Sequence, residues 1–152
     1  MKFLKWFGLI LLVLIIVYLL GPKPSKPNYS LVMPAIPAEP AALEGFIKNQ
    51  ESKHKLKPDN EARIIWMNDS LKQKTEYAVV YLHGFSASQE EGDPVHYEFA
   101  QQFGCNLYLS RLDAHGVDTT DPLASFTAQG IWETAKEAYA IGKQLGKKVI
   151  LL

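Results

Sequence analysis

The chain has 152 residues, the length of one ordinary domain, with 16 basic and 16 acidic residues, so no charge imbalance points to a nucleic-acid partner. Its one cysteine, Cys105, excludes an internal disulfide and lies in an apolar run, where we interpret it as structural. With no second cysteine and no cysteine–histidine cluster, the sequence supports neither a zinc site nor any other cofactor.

The N-terminal segment predicts a membrane helix. Lys2 and Lys5 precede an uninterrupted apolar run from Trp6 to Leu20, and residues 3–20 nearly match the bilayer span of about 20 residues. A signal-peptide core of about 7–15 residues is the alternative. The flank around Pro22 has no Ala-x-Ala cleavage pattern, which favours an uncleaved signal anchor over residues 1–21. A slight positive bias predicts a cytoplasmic N-terminus and a single-pass protein with its folded part on the extracytoplasmic side.

Residues 22–42 are rich in proline and predict an extended linker, a spacer that lifts the rest of the chain off the membrane. Leu43, Phe46 and Ile47 then follow helical spacing up to about Lys53, which predicts a short amphipathic helix.

Beyond this point strands and helices alternate. A first strand is predicted over 62–67, and a stronger one over 77–82 is apolar on both faces, which is typical of a central strand covered by helices. A helix over 94–103 is expected to turn Val95, Phe99 and Phe103 inward. Further elements are a strand over 106–110, a helix over 127–145 with Ile131, Ala135, Ala138 and Leu145 on one stripe, and a strand over 148–152. This alternation predicts an α/β fold with a parallel sheet flanked by helices.

Two turns that follow predicted strands carry the candidate functional residues. His83, Gly84 and Phe85 follow the central strand, where a glycine allows a sharp turn whose free N–H groups face the ligand crevice. Such donors suit an oxyanion. The alternative is a simple turn in which His83 is packed and hydrogen-bonded.

The second turn, from Ser110 to Gly116, contains Asp113 and His115, whose spacing is more typical of a hydrogen-bonded loop than of a catalytic pair. A metal site could be assembled by residue type alone, but no spacing supports it; its members would be Asp93, His96, His115 and Asp118.

Together these pieces resemble the α/β-hydrolases, and within them the bacterial carboxylesterase and monoacylglycerol-lipase-like group. The resemblance covers residues 77–152 and depends on the order strand, Leu82-His83-Gly84-Phe85-Ser86, helix, strand, Arg111-Leu112-Asp113-Ala114-His115-Gly116, helix, strand. It implies that Phe85 supplies one oxyanion-hole N–H. It also implies a substrate pocket built from His83, Gly84, Phe85, Ser86, His115 and Gly116. Asp113-Ala114 replaces the usual Pro-Gly or Lys-Gly before the histidine.

In this family the nucleophile elbow, Gly-x-Ser-x-Gly, directly follows a strand like Lys148 to Leu152. We therefore expect residues 43–152 to be the N-terminal part of a hydrolase domain that stops before the elbow, with no catalytic residue and no activity alone. The apolar strand Val149 to Leu152 would be an uncovered edge, which predicts poor stability and aggregation.

The resemblance implies a membrane-anchored serine hydrolase whose substrate is a small-molecule or lipid-like carboxylic ester. Two alternatives are a noncatalytic membrane-tethered binding module and an inactive truncated gene product.

Overall fold

The computed structural model describes residues 2–152, with side chains from Phe3 onward. A mixed α/β fold follows one N-terminal helix. The elements are α1 Lys2–Leu20, α2 Pro40–Glu51, β1 Arg63–Ile65, β2 Thr75–Tyr81, α3 Val95–Gln102, β3 Asn106–Leu109, α4 Ala128–Leu145 and β4 Gly146–Leu151, with a short 3₁₀ turn Gln89–Gly92 before α3.

The four strands form one mixed sheet in the order β1-β3-β2-β4. β2 pairs in parallel with both β3 and β4, as the alternating pattern predicts. The expectation of a wholly parallel sheet is wrong at β1, which is antiparallel to β3. Because β2 and β3 are parallel, β1 also runs opposite to β2. Only the short connection 66–74 joins β1 to β2, whereas a β1 parallel to β2 would require a crossover of a dozen or more residues.

The core lies on both faces of β2, whose residues Ala78, Val79 and Val80 are fully buried. This confirms the prediction of a central strand. Ala78 and Val80 pack with Ile141 of α4 and Leu43 of α2 on one face. On the opposite face Val79 packs with residues of α3 and β3, including Ala100 and Leu107.

The predicted inward face of α3 is confirmed at Phe99, which packs against the core, and is wrong at the other two positions. Val95 is 66% exposed and Phe103 60% exposed, whereas His96 and Ala100, four residues apart, are buried. His96 is tolerated there because Nε2 bonds the carbonyl of Gln89 at 2.8 Å and Nδ1 accepts the N–H of Tyr97 at 2.9 Å. The polar histidine occupies an apolar position of the helical stripe, which hydrophobic periodicity does not reveal.

α4 matches its predicted bounds closely. Thr127 caps it, since its Oγ1 accepts the Gly130 N–H at 2.9 Å, and the buried face includes the predicted Ala138 and Leu145. β4 begins at Gly146, earlier than predicted, and forms one edge of the sheet with Leu151 and Leu152 partly exposed.

Asn106 connects the start of β3 with the β1–β2 connection and with the end of α4. Its Nδ2 donates to the carbonyls of Gln73 and Leu145, both at 2.8 Å, and its Oδ1 accepts the Met67 N–H at 2.9 Å. The residue is 1% exposed, so these bonds satisfy groups that water does not reach.

α1 is long and apolar enough to cross a membrane, and none of its residues Phe3–Leu20 is buried against the rest of the protein. The choice between an anchor and a cleaved signal peptide remains a prediction.

The proline-rich linker is not a free spacer throughout. Residues 28–36, here called the strap, lie along α4, and Trp132 Nε1 donates to the Ser30 carbonyl at 2.9 Å. Lys136, only 7% exposed, donates from Nζ to the Val32 carbonyl at 3.0 Å. α2 already begins at Pro40. The predicted spacer is therefore limited to residues 22–26, which are exposed.

Candidate functional site

The two candidate turns lie side by side because they follow adjacent parallel strands. Val80 and Tyr81 of β2 are in register with Tyr108 and Leu109 of β3, so both strands end at the same edge of the sheet. The rings of His83 and His115 are 4.9 Å apart. This edge is where open α/β sheets bind ligands. We call residues 83–87 the His83 turn and residues 111–116 the His115 turn.

His83 is buried, 4% exposed, and joins the two turns. Its Nε2 accepts the backbone N–H of Leu112 at 3.2 Å, and its Nδ1 lies 3.0 Å from the Gly84 carbonyl. Because an N–H only donates and a carbonyl only accepts, the proton of the neutral ring is on Nδ1. Burial lowers the pKa of His83, which favours this neutral form.

His115 makes the reciprocal connection. Its Nε2 accepts the Ser86 N–H at 3.0 Å, and its Nδ1 lies 2.7 Å from the backbone carbonyl of Asp113. The same reasoning assigns the proton to Nδ1. Each histidine therefore orders the backbone of the turn that the other one belongs to.

Phe85 differs from its neighbours in both its side chain and its N–H group. Gly84 N–H donates to Glu91 Oε2 at 2.6 Å and Ser86 N–H donates to His115, but the Phe85 N–H makes no hydrogen bond within residues 2–152. The residue is 70% exposed, and its ring packs edge-on against Phe126 at 5.1 Å. A donor is thus left free in a turn whose neighbouring donors are engaged.

Glu91 shapes this turn from the 3₁₀ segment. A Cβ at position 84 would lie 2.9 Å from Glu91 Oε1 and would push the carboxylate aside, so the glycine favours this close approach. The left-handed residue of the turn is Ser86, with φ +64°, and not Gly84, so the expected sharp turn at the glycine is corrected. Glu91 could not be predicted from the sequence, because nothing in its spacing indicates that its carboxylate accepts the N–H of Gly84.

The His115 turn is anchored by an ion pair that the sequence did not predict. Arg111 donates from Nε and Nη2 to the two carboxylate oxygens of Glu51 at 2.8 and 3.0 Å, and the side chains are only 9% and 13% exposed. Arg111 Nη1 also donates to the His115 carbonyl at 3.2 Å, while Glu51 accepts the Ala62 N–H at 2.9 Å. The amphipathic helix α2 therefore supports the site through its last residue.

Asp113 joins the same turn to the start of α4. Its Oδ2 accepts the Thr127 N–H at 3.4 Å, near the positive end of the helix dipole. A Cβ on Gly130 would overlap this carboxylate. These contacts agree with the interpretation of Asp113 and His115 as a hydrogen-bonded loop, because His115 bonds the backbone of Asp113 and not its carboxylate.

Ala114 occupies the left-handed region with φ +60°, a conformation that favours glycine. Ala114 therefore adopts this turn under strain. Gly116 also has positive φ, +69°, and a Cβ there would lie 2.8 Å from the Cβ of Asn60.

A cavity of about 370 Å³ opens between the two turns. Three of the six predicted pocket residues line it: Ser86, His115 and Gly116. The other three, His83, Gly84 and Phe85, are not among the lining residues that the structure describes. The remaining wall comes mainly from segments that the sequence did not connect with the site: Lys57, Asn60, Ala87, Ser88, Glu91, Ala114, Pro122 and Leu123.

Within residues 2–152 no group of three or more histidine, cysteine, aspartate or glutamate side chains is arranged to hold a metal ion. Cys105 is buried, and burial raises the pKa of its thiol, which is typical of a structural cysteine.

No family model matches the chain, and no curated protein sequence matches it. The resemblance to α/β-hydrolases therefore depends on the motifs and on the order of the elements, and the function that it implies is a proposal.

Proposed function

We propose that this chain is the N-terminal part of a membrane-anchored serine hydrolase of carboxylic esters, and that its His83 turn supplies half of the oxyanion hole. The observation that carries the proposal is the free N–H of Phe85 at the carboxyl end of the central strand. A free, fixed backbone donor at this position suits the negative charge that develops on a carbonyl oxygen during acyl transfer.

The position of β4 supports the proposal. Leu82 N–H donates to the Leu152 carbonyl at 2.9 Å, and Leu152 N–H donates to the Val80 carbonyl at 3.0 Å. A residue that follows Leu152 would therefore emerge beside the His83 turn. In the hydrolase pattern the nucleophile elbow occupies that position, and the N–H after its serine is the second oxyanion donor.

In the proposed reaction, the serine Oγ attacks the ester carbonyl and the Phe85 N–H donates to the oxygen of the tetrahedral intermediate. Collapse of the intermediate breaks the ester C–O bond, and the alcohol leaves with the proton that the triad histidine took from the serine. Water then hydrolyses the acyl-enzyme to the carboxylic acid and the free serine. His83 and His115 act as positioning residues, since the nitrogens of both rings are already engaged with backbone groups. The acid and the histidine of the triad would come from later residues, as the family order implies.

The first test is to read the genomic DNA past the codon for Leu152 and to assay the full product on a short-chain chromogenic ester. We expect Gly-x-Ser-x-Gly in frame directly after β4 and hydrolysis that disappears when its serine is replaced by alanine. A stop codon with no such motif would contradict the hydrolase and favour a membrane-tethered binding module.

A second test addresses the Phe85 donor in that full product. Replacing Phe85 by phenyllactic acid through nonsense suppression exchanges its N–H for an ester oxygen and keeps the side chain. We expect kcat to fall about 10²–10³-fold, the usual cost of one oxyanion donor. Phe85→Leu is the matched control, because it changes the side chain and keeps the N–H. Equal kcat values for the phenyllactate and leucine forms would refute the role of this donor.

A further inference from the structure

The N-terminal end of α4 lies beside the candidate site. The Asp113 carboxylate, in the turn after β3, accepts the N–H of Thr127, the N-cap of α4. The first turn of α4 therefore lies at the carboxyl edge of the sheet, where the His83 and His115 turns are. We call this the site edge.

The strap runs along α4 in a defined direction. Asn28 N–H donates to Gln129 in the first turn of the helix. Further along, the Ser30 carbonyl bonds Trp132 and the Val32 carbonyl bonds Lys136. Strap and helix numbers rise together, so the strap enters at the site edge and leaves toward the opposite edge. The strap residue nearest to α1 is thus held at the site.

The tether between α1 and the strap is short. α1 ends at Leu20 and the strap begins at Asn28, so residues 21–27 connect them. Pro22, Pro24 and Pro27 favour an extended chain of about 3.1 Å per residue, so the eight residue steps from Leu20 to Asn28 span roughly 25 Å. The site edge therefore remains within about one domain diameter of the end of α1.

Apolar aromatic side chains are exposed at this same edge. Phe85 is 70% exposed and Tyr29 is 58% exposed. Phe126 packs against Phe85 at a ring distance of 5.1 Å, and Tyr29 packs edge-on against Trp132 at 5.6 Å. An open groove of about 320 Å³ connects the two pairs, lined by Tyr29, Phe126, Ala128, Ile131 and Trp132. Such side chains are favoured at a membrane–water interface.

We propose that the site edge docks on the surface of the bilayer that α1 crosses, with Phe85, Phe126 and Tyr29 as its contact residues. The inference rests on the membrane anchoring that is part of the proposed function. The tether limits the distance between the site edge and the end of α1. The strap begins at the site edge, so this edge is the one nearest to the tether. The exposed rings of Phe85 and Tyr29 supply the contact with lipid. The docked partner is a lipid surface, and the cavity between the two turns opens beside it.

Charge does not direct this docking toward anionic lipid. Lys23 and Lys26 lie in the tether, whereas the loop after the His115 turn carries the exposed Asp118 and Asp121. Because both signs are present, phosphatidylcholine vesicles are a suitable test surface.

The test uses the full chain reconstituted in phosphatidylcholine vesicles, with Cys105→Ala and one new cysteine for an environment-sensitive fluorophore. Ser125→Cys places the probe beside Phe126, and Ser70→Cys, also at an exposed residue, places it in the loop between β1 and β2 at the opposite edge. With lipid spin-labelled near the headgroup, we expect roughly two-fold or greater quenching at position 125 relative to position 70. Equal quenching at the two positions would overturn docking.

Two further variants separate the contact residues from the tether. Phe85→Ser combined with Phe126→Ser is expected to reduce quenching at position 125 by about half, because the aromatic contact is lost. Trp132→Ala removes the Tyr29 contact and the bond to Ser30, and is expected to reduce the difference between positions 125 and 70. Circular dichroism identifies any variant that fails to fold, and Trp132→Phe then replaces it as the milder change. Full quenching in folded forms of both variants would contradict the proposal.

Alkaline extraction of the same vesicles distinguishes the two proposals. A chain that washes off the lipid contradicts the anchor and, with it, the docking. A chain that resists extraction but shows equal quenching contradicts docking alone and leaves the hydrolase proposal standing. No step depends on ester hydrolysis.

Discussion

The His83 turn and the His115 turn are built alike but are supported differently. Each follows a buried parallel strand, each contains a buried histidine protonated on Nδ1, and each has a residue other than glycine with positive φ: Ser86 at +64° and Ala114 at +60°. The His115 turn is bonded outward to α2 through Arg111 and to α4 through Asp113. The His83 turn is bonded mainly to the His115 turn and to Glu91.

The two turns therefore differ in what their polar groups do. The polar groups of the His115 turn bond to α2 and α4, and these helices fix the turn. The His83 turn is fixed through the other turn, which leaves the Phe85 N–H and ring free at the surface. The Phe85 N–H can be positioned accurately only if the residues on either side of it are held in place. We therefore expect substitutions to destabilise the protein most at the contacts that fix the His115 turn, and less at the contacts between the two turns.

The largest effect is expected at the buried ion pair. Glu51→Gln leaves the Arg111 guanidinium without its carboxylate in a site only 9% exposed, and we expect the free energy of unfolding to fall by about 3–5 kcal/mol. Urea denaturation of the full chain in detergent micelles measures this loss. Glu61→Gln, at an exposed carboxylate paired with Arg63, is the matched control and should cost less than about 1 kcal/mol.

Adding Arg111→Met to Glu51→Gln removes the guanidinium that the first change leaves unpaired. If the loss comes from an unpaired buried charge, the double variant should be more stable than Glu51→Gln alone. Additive losses would mean that the two side chains act independently, and the His115 turn would not be anchored by their pairing.

A smaller effect is expected where the two turns meet. His115→Ala leaves the Ser86 N–H unpaired and should lower the free energy of unfolding by about 2 kcal/mol. Hydrogen exchange of the peptide spanning 84–88 should rise, because the His83 turn loses its support. His54→Ala, at an exposed histidine, is the control. Unchanged hydrogen exchange of this peptide in His115→Ala would show that the His83 turn does not depend on the His115 turn for its support.

The sequence predicted the parts of this arrangement that depend on local pattern. The run 77–82 is apolar on both faces, and the structure buries its residues 78–80 at the centre of the sheet. Turns that follow parallel strands share one edge by topology, so the proximity of His83 and His115 could be expected before any coordinates. α4 could be predicted equally well, because it has a strong apolar stripe and because Thr127 and Gly146 mark its two ends.

The parts that were missed depend on contacts between distant residues. Glu51 and Arg111 are 60 positions apart, and no periodicity links a carboxylate at the end of one helix to a particular guanidinium. The strap was missed because proline-rich composition indicates an extended backbone but not the surface on which it lies. The prediction for α3 was wrong at Val95 and Phe103 because a buried histidine that is satisfied by backbone bonds looks polar in a hydropathy pattern.

A pH effect tests the neutral state of His83. Burial holds its folded pKa below the unfolded value of about 6.5. Above pH 6.5 the ring is neutral in both states and contributes nothing. Below it, only the unfolded chain gains the proton, so stability falls with pH down to the folded pKa, by at most about 1.4 kcal/mol per pH unit. Urea midpoints between pH 7.5 and 5.5 should fall more steeply for the wild type than for His83→Gln. Parallel curves would contradict a neutral buried His83.

The smallest expected effect concerns Ala114, whose backbone is left-handed. Its φ of +60° is strained for alanine and relaxed for glycine, while glycine also loses more backbone entropy on folding. We expect relief of strain to dominate, so that Ala114→Gly raises the free energy of unfolding by about 0.5–1 kcal/mol. Ala87→Gly, in the other turn at a residue without positive φ, should lower it and is measured beside it. A loss of stability in both variants would mean that the His115 turn is not strained at Ala114, and that its rigidity comes from Arg111 and Asp113 alone.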